Sequence, residues 1–274
     1  MSNLFWLTEA QIVRLRPFFP KSHGRPRVDD LRVLSGIIFI SRNGLRWCDG
    51  EGMNATGSRE CPNGEYGPAK TLYNRWKLWS DNGVFARIMV GLAAEATDPK
   101  TIMIDVTYLK AHRTACSLRA KKPGRGRQIG QAKGFEGERN CPVDSFARER
   151  NTTLHAVTNS RDRPMQFFIS AGQVSDDTGA AALLDSLPQA DWFLADRGYD
   201  ADWLRKALQD RGIKPCIPGR KSRKKPVKYD KRRNCIEIMF GRLKDWRRVA
   251  TRYARCPETY LSAIALAATV LFRL

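Results

Sequence analysis

The first third of the chain carries a helical pattern of apolar positions. Thr8-Glu9-Ala10-Gln11 fits a capping box that opens a helix through about residue 15, and Pro17 and Pro20 end it. Gly24-Arg25-Pro26-Arg27 reads as a basic turn. Asp29 is placed to cap a helix in which Leu31, Leu34, Ile37, Ile38 and Ile40 recur at helical spacing. A third helical stretch, over residues 71–94, carries Leu72, Trp76, Trp79, Val84, Ile88 and Leu92, with a break or kink predicted at Asn82-Gly83. Short helices rich in Arg and Trp suit a helix-turn-helix-like unit, and equally a helical subdomain packed on the rest of the chain.

From Lys100 the pattern changes to alternating strand and helix. Apolar strands are predicted at 101–104, ending in Asp105, and at 192–195, ending in Asp196. Further strands are expected at 153–157, 165–170 and 214–217. Helices are expected at 179–187 (capped by Asp176 or Asp177), 201–208 (capped by Asp200), 236–249 and 258–272. Three strands, then helix, strand, helix and strand, make a mixed α/β sheet with flanking helices. A helical region at 1–98 therefore precedes an α/β domain at 99–274. Residues 49–65 and 135–150 are polar, fit no element and read as loops.

Charge narrows the class of partner. There are 48 Lys+Arg against 28 Asp+Glu, a formal net charge of +20, which calls for a polyanion. The basic residues lie in several tracts and not on one amphipathic helix, which favours nucleic acid over a membrane surface. The seven cysteines form no close CxxC pair, so free thiols are expected in place of a disulfide framework or zinc ribbon. The opening residues lack a secretory pattern, and the apolar segment 261–272 is too short to span a bilayer. A cytoplasmic protein with no membrane partner is expected.

The candidate chemistry lies in the acids. If the strands before Asp105 and Asp196 are neighbours, both carboxylates emerge at one sheet edge, where open α/β sheets collect ligands. Glu237 opens a helix among cations. Three converging carboxylates need a divalent metal, and a pair of Mg²⁺ ions held by acids is the usual device for cutting or joining phosphodiesters. Each acid also has a plain structural role open to it. The aspartates suit strand-end turns, and Asn234-Cys235-Ile236-Glu237 fits a capping box. Basic tracts lie close to the acids in sequence: Lys110, Arg113, Arg119, Lys121 and their neighbours after the first, and Arg220 to Arg233, with Lys224 inside it, before the third. Arg242, Lys244, Arg247 and Arg248 follow Glu237. That arrangement suits a channel for a phosphate backbone.

These motifs resemble those of the DDE transposases of bacterial insertion sequences, in the group-five branch of the larger group-four superfamily. Asp105-Val106-Thr107-Tyr108-Leu109-Lys110-Ala111-His112-Arg113 is similar to the first-Asp motif, and Ala195-Asp196-Arg197-Gly198-Tyr199-Asp200 to the second. Arg233, Glu237 and Lys244 match the Arg-x₃-Glu-x₆-Lys part of the third signature. Thr71-Leu72-Tyr73-Asn74-Arg75-Trp76, Ile217-Pro218-Gly219-Arg220 and Phe240-Gly241-Arg242-Leu243-Lys244 are further matching runs. The resemblance implies a ribonuclease-H-like catalytic domain whose Asp105, Asp196 and Glu237 hold Mg²⁺ or Mn²⁺, as two ions. It implies cutting at terminal inverted repeats and joining of 3′ ends to target DNA in the bacterial cytoplasm, by a homodimer on DNA. Arg233 and Lys244 would contact phosphates, with Lys110, Arg113, Arg197, Arg220, Lys224, Arg242 and Arg75 as further candidate DNA contacts. Tyr229 is displaced by one position from where the family signature has it before Arg233, and residues 49–65 and 135–150 are additional to the family pattern. A DNA-binding relic without catalysis is the alternative.

Overall fold

The computed structural model describes residues 4–20, 29–47, 65–95, 100–112, 115, 151–171, 176–219, 234–254 and 256–274. The two loop expectations at 49–65 and 135–150 fall outside these residues apart from Glu65.

Local capping chemistry sets the first helices. Helix α1 (Glu9–Leu15) opens on Thr8, whose hydroxyl accepts from the Gln11 N–H at 3.2 Å, while the Gln11 side chain accepts from the Thr8 N–H at 2.9 Å. Asp29 caps α2 (Asp30–Asn43) by accepting from the Leu31 N–H. The expected break at Asn82-Gly83 is present. Gly83, at φ +62°, separates α3 (Ala69–Asp81) from α4 (Val84–Ala94), a conformation that side chains beyond glycine disfavour.

The sheet has the order β3-β2-β1-β4-β5. Its strands are β1 (Thr101–Ala111), β2 (Asn151–Asn159), β3 (Pro164–Ala171), β4 (Trp192–Leu194) and β5 (Lys214–Cys216). β2 is antiparallel to both β1 and β3, whereas β4 is parallel to both β1 and β5. A two-residue strand, β6 (Thr251–Arg252), pairs in parallel with Lys110 and Ala111. Because β2 already occupies one edge of β1, β4 and β6 share the other.

The chain departs from the sequence expectation in four places. β1 does not end at Asp105: the ladder to β2 carries it to Lys110 and pairing with β6 to Ala111, so its polar residues do not terminate it. Helix α5 (Asp176–Leu184) begins with both expected caps inside it and stops three residues early. Asp200 does not cap α6 (Asp202–Asp210), where Ala201 holds the N-cap position. Its carboxylate is fully buried and accepts instead from Arg205 Nε at 2.8 Å. The expected helix at 236–249 is two, α7 (Asn234–Lys244) and α8 (Arg247–Ala250). Buried Trp246 sits between them in an extended conformation and turns the chain back toward β1. Asn234 lies within α7, one place later than the capping-box reading requires.

Period-two alternation sorts the strand side chains onto two faces. Met103, Leu109, Leu154, Ala156, Phe167, Ile169 and Leu194 join one core with α1–α4, α7, α8 and α9 (Pro257–Phe272). Ile102, Ile104, Val157 and Phe193 join the other, under α5 and α6. The N-terminal helices therefore share a continuous core with one face of the sheet. On the opposite face, α5 lies close on β2 because Gly179 has no side chain: a β-carbon there would overlap the ring of buried His155. Among the described residues no helix is long and apolar enough to cross a membrane.

Candidate active site

Register relates the two aspartates. β1 and β4 pair as Thr101 with Trp192, Ile102 with Phe193 and Met103 with Leu194. Two further steps along each chain, beyond the last ladder pair, lead to Asp105 on β1 and to Asp196 past the end of β4. Asp105 has the parity of Met103 on β1, which sets it on the face on which α7 and α9 pack. Both aspartates are half-buried. β4 ends just before Asp196, and the chain turns there into a short 3-10 segment, Arg197–Tyr199. The Asp196 Oδ1 accepts from the Gly198 N–H at 2.8 Å and fixes that turn. The Asp105 Oδ1 accepts from the Val106 N–H at 2.8 Å. Both carboxylates thus have one oxygen held by backbone at the point where the strands part.

That parting leaves an opening along β1. β4 covers its edge at residues 101–103 and β6 at 110–111. Between them, among the described residues, no strand pairs with that edge. Lys244, at the end of α7, reaches this stretch and donates from Nζ to Thr107 Oγ1 at 2.6 Å. Thr107 lies two residues past Asp105, on the same face of the strand.

Glu237 stands in the first turn of α7 and is exposed. It precedes Lys244 by seven residues, which puts the two on one stripe of the helix about 10 Å apart along its axis. Among the described residues no three His, Cys, Asp or Glu side chains gather as a metal-holding cluster. The sheet carries Asp105 on β1 and Asp196 just past the neighbouring β4; Glu237 is linked to the Asp105 face through Lys244 and Thr107, and among the described residues no three-acid cluster forms.

The basic candidates divide. Arg197 and Lys110 are exposed on the sheet segments that carry the aspartates. Arg242 is exposed on α7, its guanidinium 5.9 Å from the Phe272 ring centre. Arg75 is half-buried on α3. Arg113, Arg220, Lys224 and Arg233 lie outside the described residues. Arg248, grouped by sequence with the phosphate-facing cations, has a structural role. It donates to the Leu45 carbonyl at 2.5 Å and lies 4.8 Å over the Trp47 ring, and burial lowers its pKa to about 10. Sequence reasoning did not single out Thr107. Its only signal is the two-residue offset from Asp105, and its lysine partner lies 137 positions away.

Known proteins match two stretches of the chain. A family model for the transposase DDE domain matches residues 193–272, a span that includes Asp196, Glu237 and Lys244. A second, for putative transposases of the IS4/5 family, matches residues 7–89. The uncharacterized protein y4sN of Sinorhizobium fredii is 32% identical over 124 residues, covering 43% of this chain and 87% of that protein. The putative transposase for insertion sequence element IS402 of Burkholderia cepacia is 30% identical over 112 residues, 37% of this chain and 53% of its own length. The putative transposase for IS6501 of Brucella ovis is 28% identical over 134 residues, 44% of this chain and 97% of its own. No solved structure matches. With a DDE domain match over its last third and an IS4/5 match over its first, the chain belongs to the transposases of bacterial insertion sequences.

Proposed function

We propose that this protein binds the terminal inverted repeats of its element, cleaves DNA there and joins the 3′ ends to target DNA. The observation that supports the reading is the parallel pairing of β1 with β4, with Asp105 on β1 and Asp196 two residues past the end of β4. Two carboxylates brought close to one another repel, and a divalent cation with a preference for oxygen donors relieves that repulsion. The donor set therefore fits Mg²⁺ or Mn²⁺, with Asp105 and Asp196 as its first ligands and Glu237 as the third acid. Bound there, a pair of such ions would activate the attacking oxygen and stabilise the leaving one. The protein's own part is to hold the aspartates by the Val106 and Gly198 amides and to present cations to the phosphates.

The antiparallel β1–β3 ladder continued by parallel β4 and β5 supports a ribonuclease-H-like reading of residues 99–274. Residues 1–98 form the helical region proposed to bind the repeats. Lys110, Arg197, Arg242 and Lys244 are proposed to contact phosphates, joined by Arg75 and by Arg113, Arg220, Lys224 and Arg233. Two element ends must meet in one complex, so a homodimer on DNA in the bacterial cytoplasm is proposed.

The test is cleavage and strand transfer on terminal-repeat DNA with Mg²⁺. Wild type should cut and join; Asp105→Ala and Glu237→Ala should bind and do neither. A second reading, binding without catalysis, is favoured by Glu237 standing apart from the aspartates. It predicts salt-sensitive DNA binding with no cleavage by wild type.

A further inference from the structure

We infer that Thr107 is a ligand for DNA phosphate, acting with Lys244 as a two-donor clamp beside the Asp105–Asp196 row. The inference rests on the reading of that row as the site of strand cleavage.

The chemistry of the pair decides the direction of its hydrogen bond. A lysine ammonium can only donate, so Thr107 Oγ1 accepts from it across 2.6 Å. A threonine hydroxyl also carries one hydrogen of its own. With its oxygen engaged by Lys244, that hydrogen is left to donate elsewhere. The ammonium keeps two more. The pair thus offers several donors and one full positive charge at a single point, which suits the oxygens of a phosphodiester.

Placement gives the pair its task. Thr107 stands about 7 Å beyond Asp105 on the same strand face. A DNA strand carries a phosphate about every 3.4 Å of helix axis, so an offset of about 7 Å spans about two such steps and reaches a phosphate near the one at the aspartates. The opening in the β1 edge between β4 and β6 is where Lys244 enters. A lysine side chain has much rotamer freedom to lose on binding. Thr107 reduces that loss by holding the ammonium in place before DNA arrives. Lys244 also stands on the Glu237 stripe of α7, so the same contact sets how that stripe meets β1.

Three variants test this on the full-length protein: Thr107→Val, which keeps the shape and removes the hydroxyl, Thr107→Ser, which returns it, and Lys244→Gln. The probe is a duplex carrying the terminal repeat, titrated without metal, alongside thermal unfolding of each free variant. Loss of a hydrogen bond to a charged group predicts that Thr107→Val weakens the duplex about tenfold, and that Thr107→Ser stays within about twofold of wild type, with unfolding unchanged. Thr107→Val combined with Lys244→Gln should weaken binding by less than the sum of the two effects, because the residues act as one unit. Wild-type affinity in Thr107→Val overturns the inference. So does equal weakening by Val and Ser, which marks a packing role. If wild type binds the duplex but does not cut it with Mg²⁺, the catalytic reading fails, while the metal-free titrations still decide Thr107. If wild type binds no duplex, both fail.

Discussion

His155 makes the stability of this fold depend on pH, and the size of the effect follows from its surroundings. The ring lies on β2, fully buried, with Nε2 2.9 Å from Ser170 Oγ on β3, Phe168 5.7 Å away between ring centres, and Gly179 against it from α5. Burial lowers its pKa from 6.5 to about 4. Above pH 6.5 the ring is neutral in both the folded and the unfolded chain, and the term is silent. As pH falls below 6.5 the unfolded chain takes up a proton that the folded chain refuses, so stability is lost, and the loss levels off below pH 4. Linkage gives about 2 kcal/mol lost by pH 5 and about 3 kcal/mol at the limit. Urea unfolding of wild type and His155→Gln at a series of pH values between 8 and 5 isolates the term, because the amide does not titrate and the carboxylates are common to both. The wild-type curve should fall by about 2 kcal/mol more than the variant's over that range. Parallel curves, or an NMR midpoint for this ring above pH 6, would refute the argument.

Other perturbations follow from the same packing. Gly179→Ala forces a β-carbon into the His155 ring and should cost about 1–3 kcal/mol, read as a lowered melting temperature. Arg205→Met leaves the fully buried Asp200 carboxylate without its guanidinium and should cost about 3–5 kcal/mol in denaturant unfolding. Gly241→Ala on α7 meets no atom within 4 Å and should stabilise the protein by about 1 kcal/mol, since glycine is a poor helix former; an unchanged or lower unfolding midpoint would contradict that.

What could be read from the sequence was what local chemistry determines. The Thr8–Gln11 box, the Asp29 cap and the break at Gly83 depend on residues within a few positions of one another, and each is present. Asp105 and Asp196 stood out because each follows an apolar run. Their placement depended on β1 and β4 being neighbours in register, which a single chain does not spell out. Contacts across the fold were hidden for the same reason. Asp200 looked like a helix cap until Arg205 and the loss of solvent gave its carboxylate a different partner. Arg248 looked like one more surface cation until Trp47 and the Leu45 carbonyl covered it. The split of one apolar stretch into α7 and α8 depends on burial of Trp246, and Thr107 gains its interest only from a lysine far along the chain.

The shared core beneath the sheet has a consequence for inheritance. The two stretches recognisable in other transposases, 7–89 and 193–272, are separate in sequence, yet α4 and α9 bury their side chains in the same interior. A change in the bulk of Ile88 or Leu92 on α4 is felt in the core that α4 shares with α9. The N-terminal region proposed to meet the repeats is therefore not free to be exchanged like a cassette. Hybrids that graft one relative's first ninety or so residues onto another's remainder should fold only when the apolar faces of those two helices are exchanged together, so sequence change in this region has its freedom in exposed side chains that leave the helix packing in place.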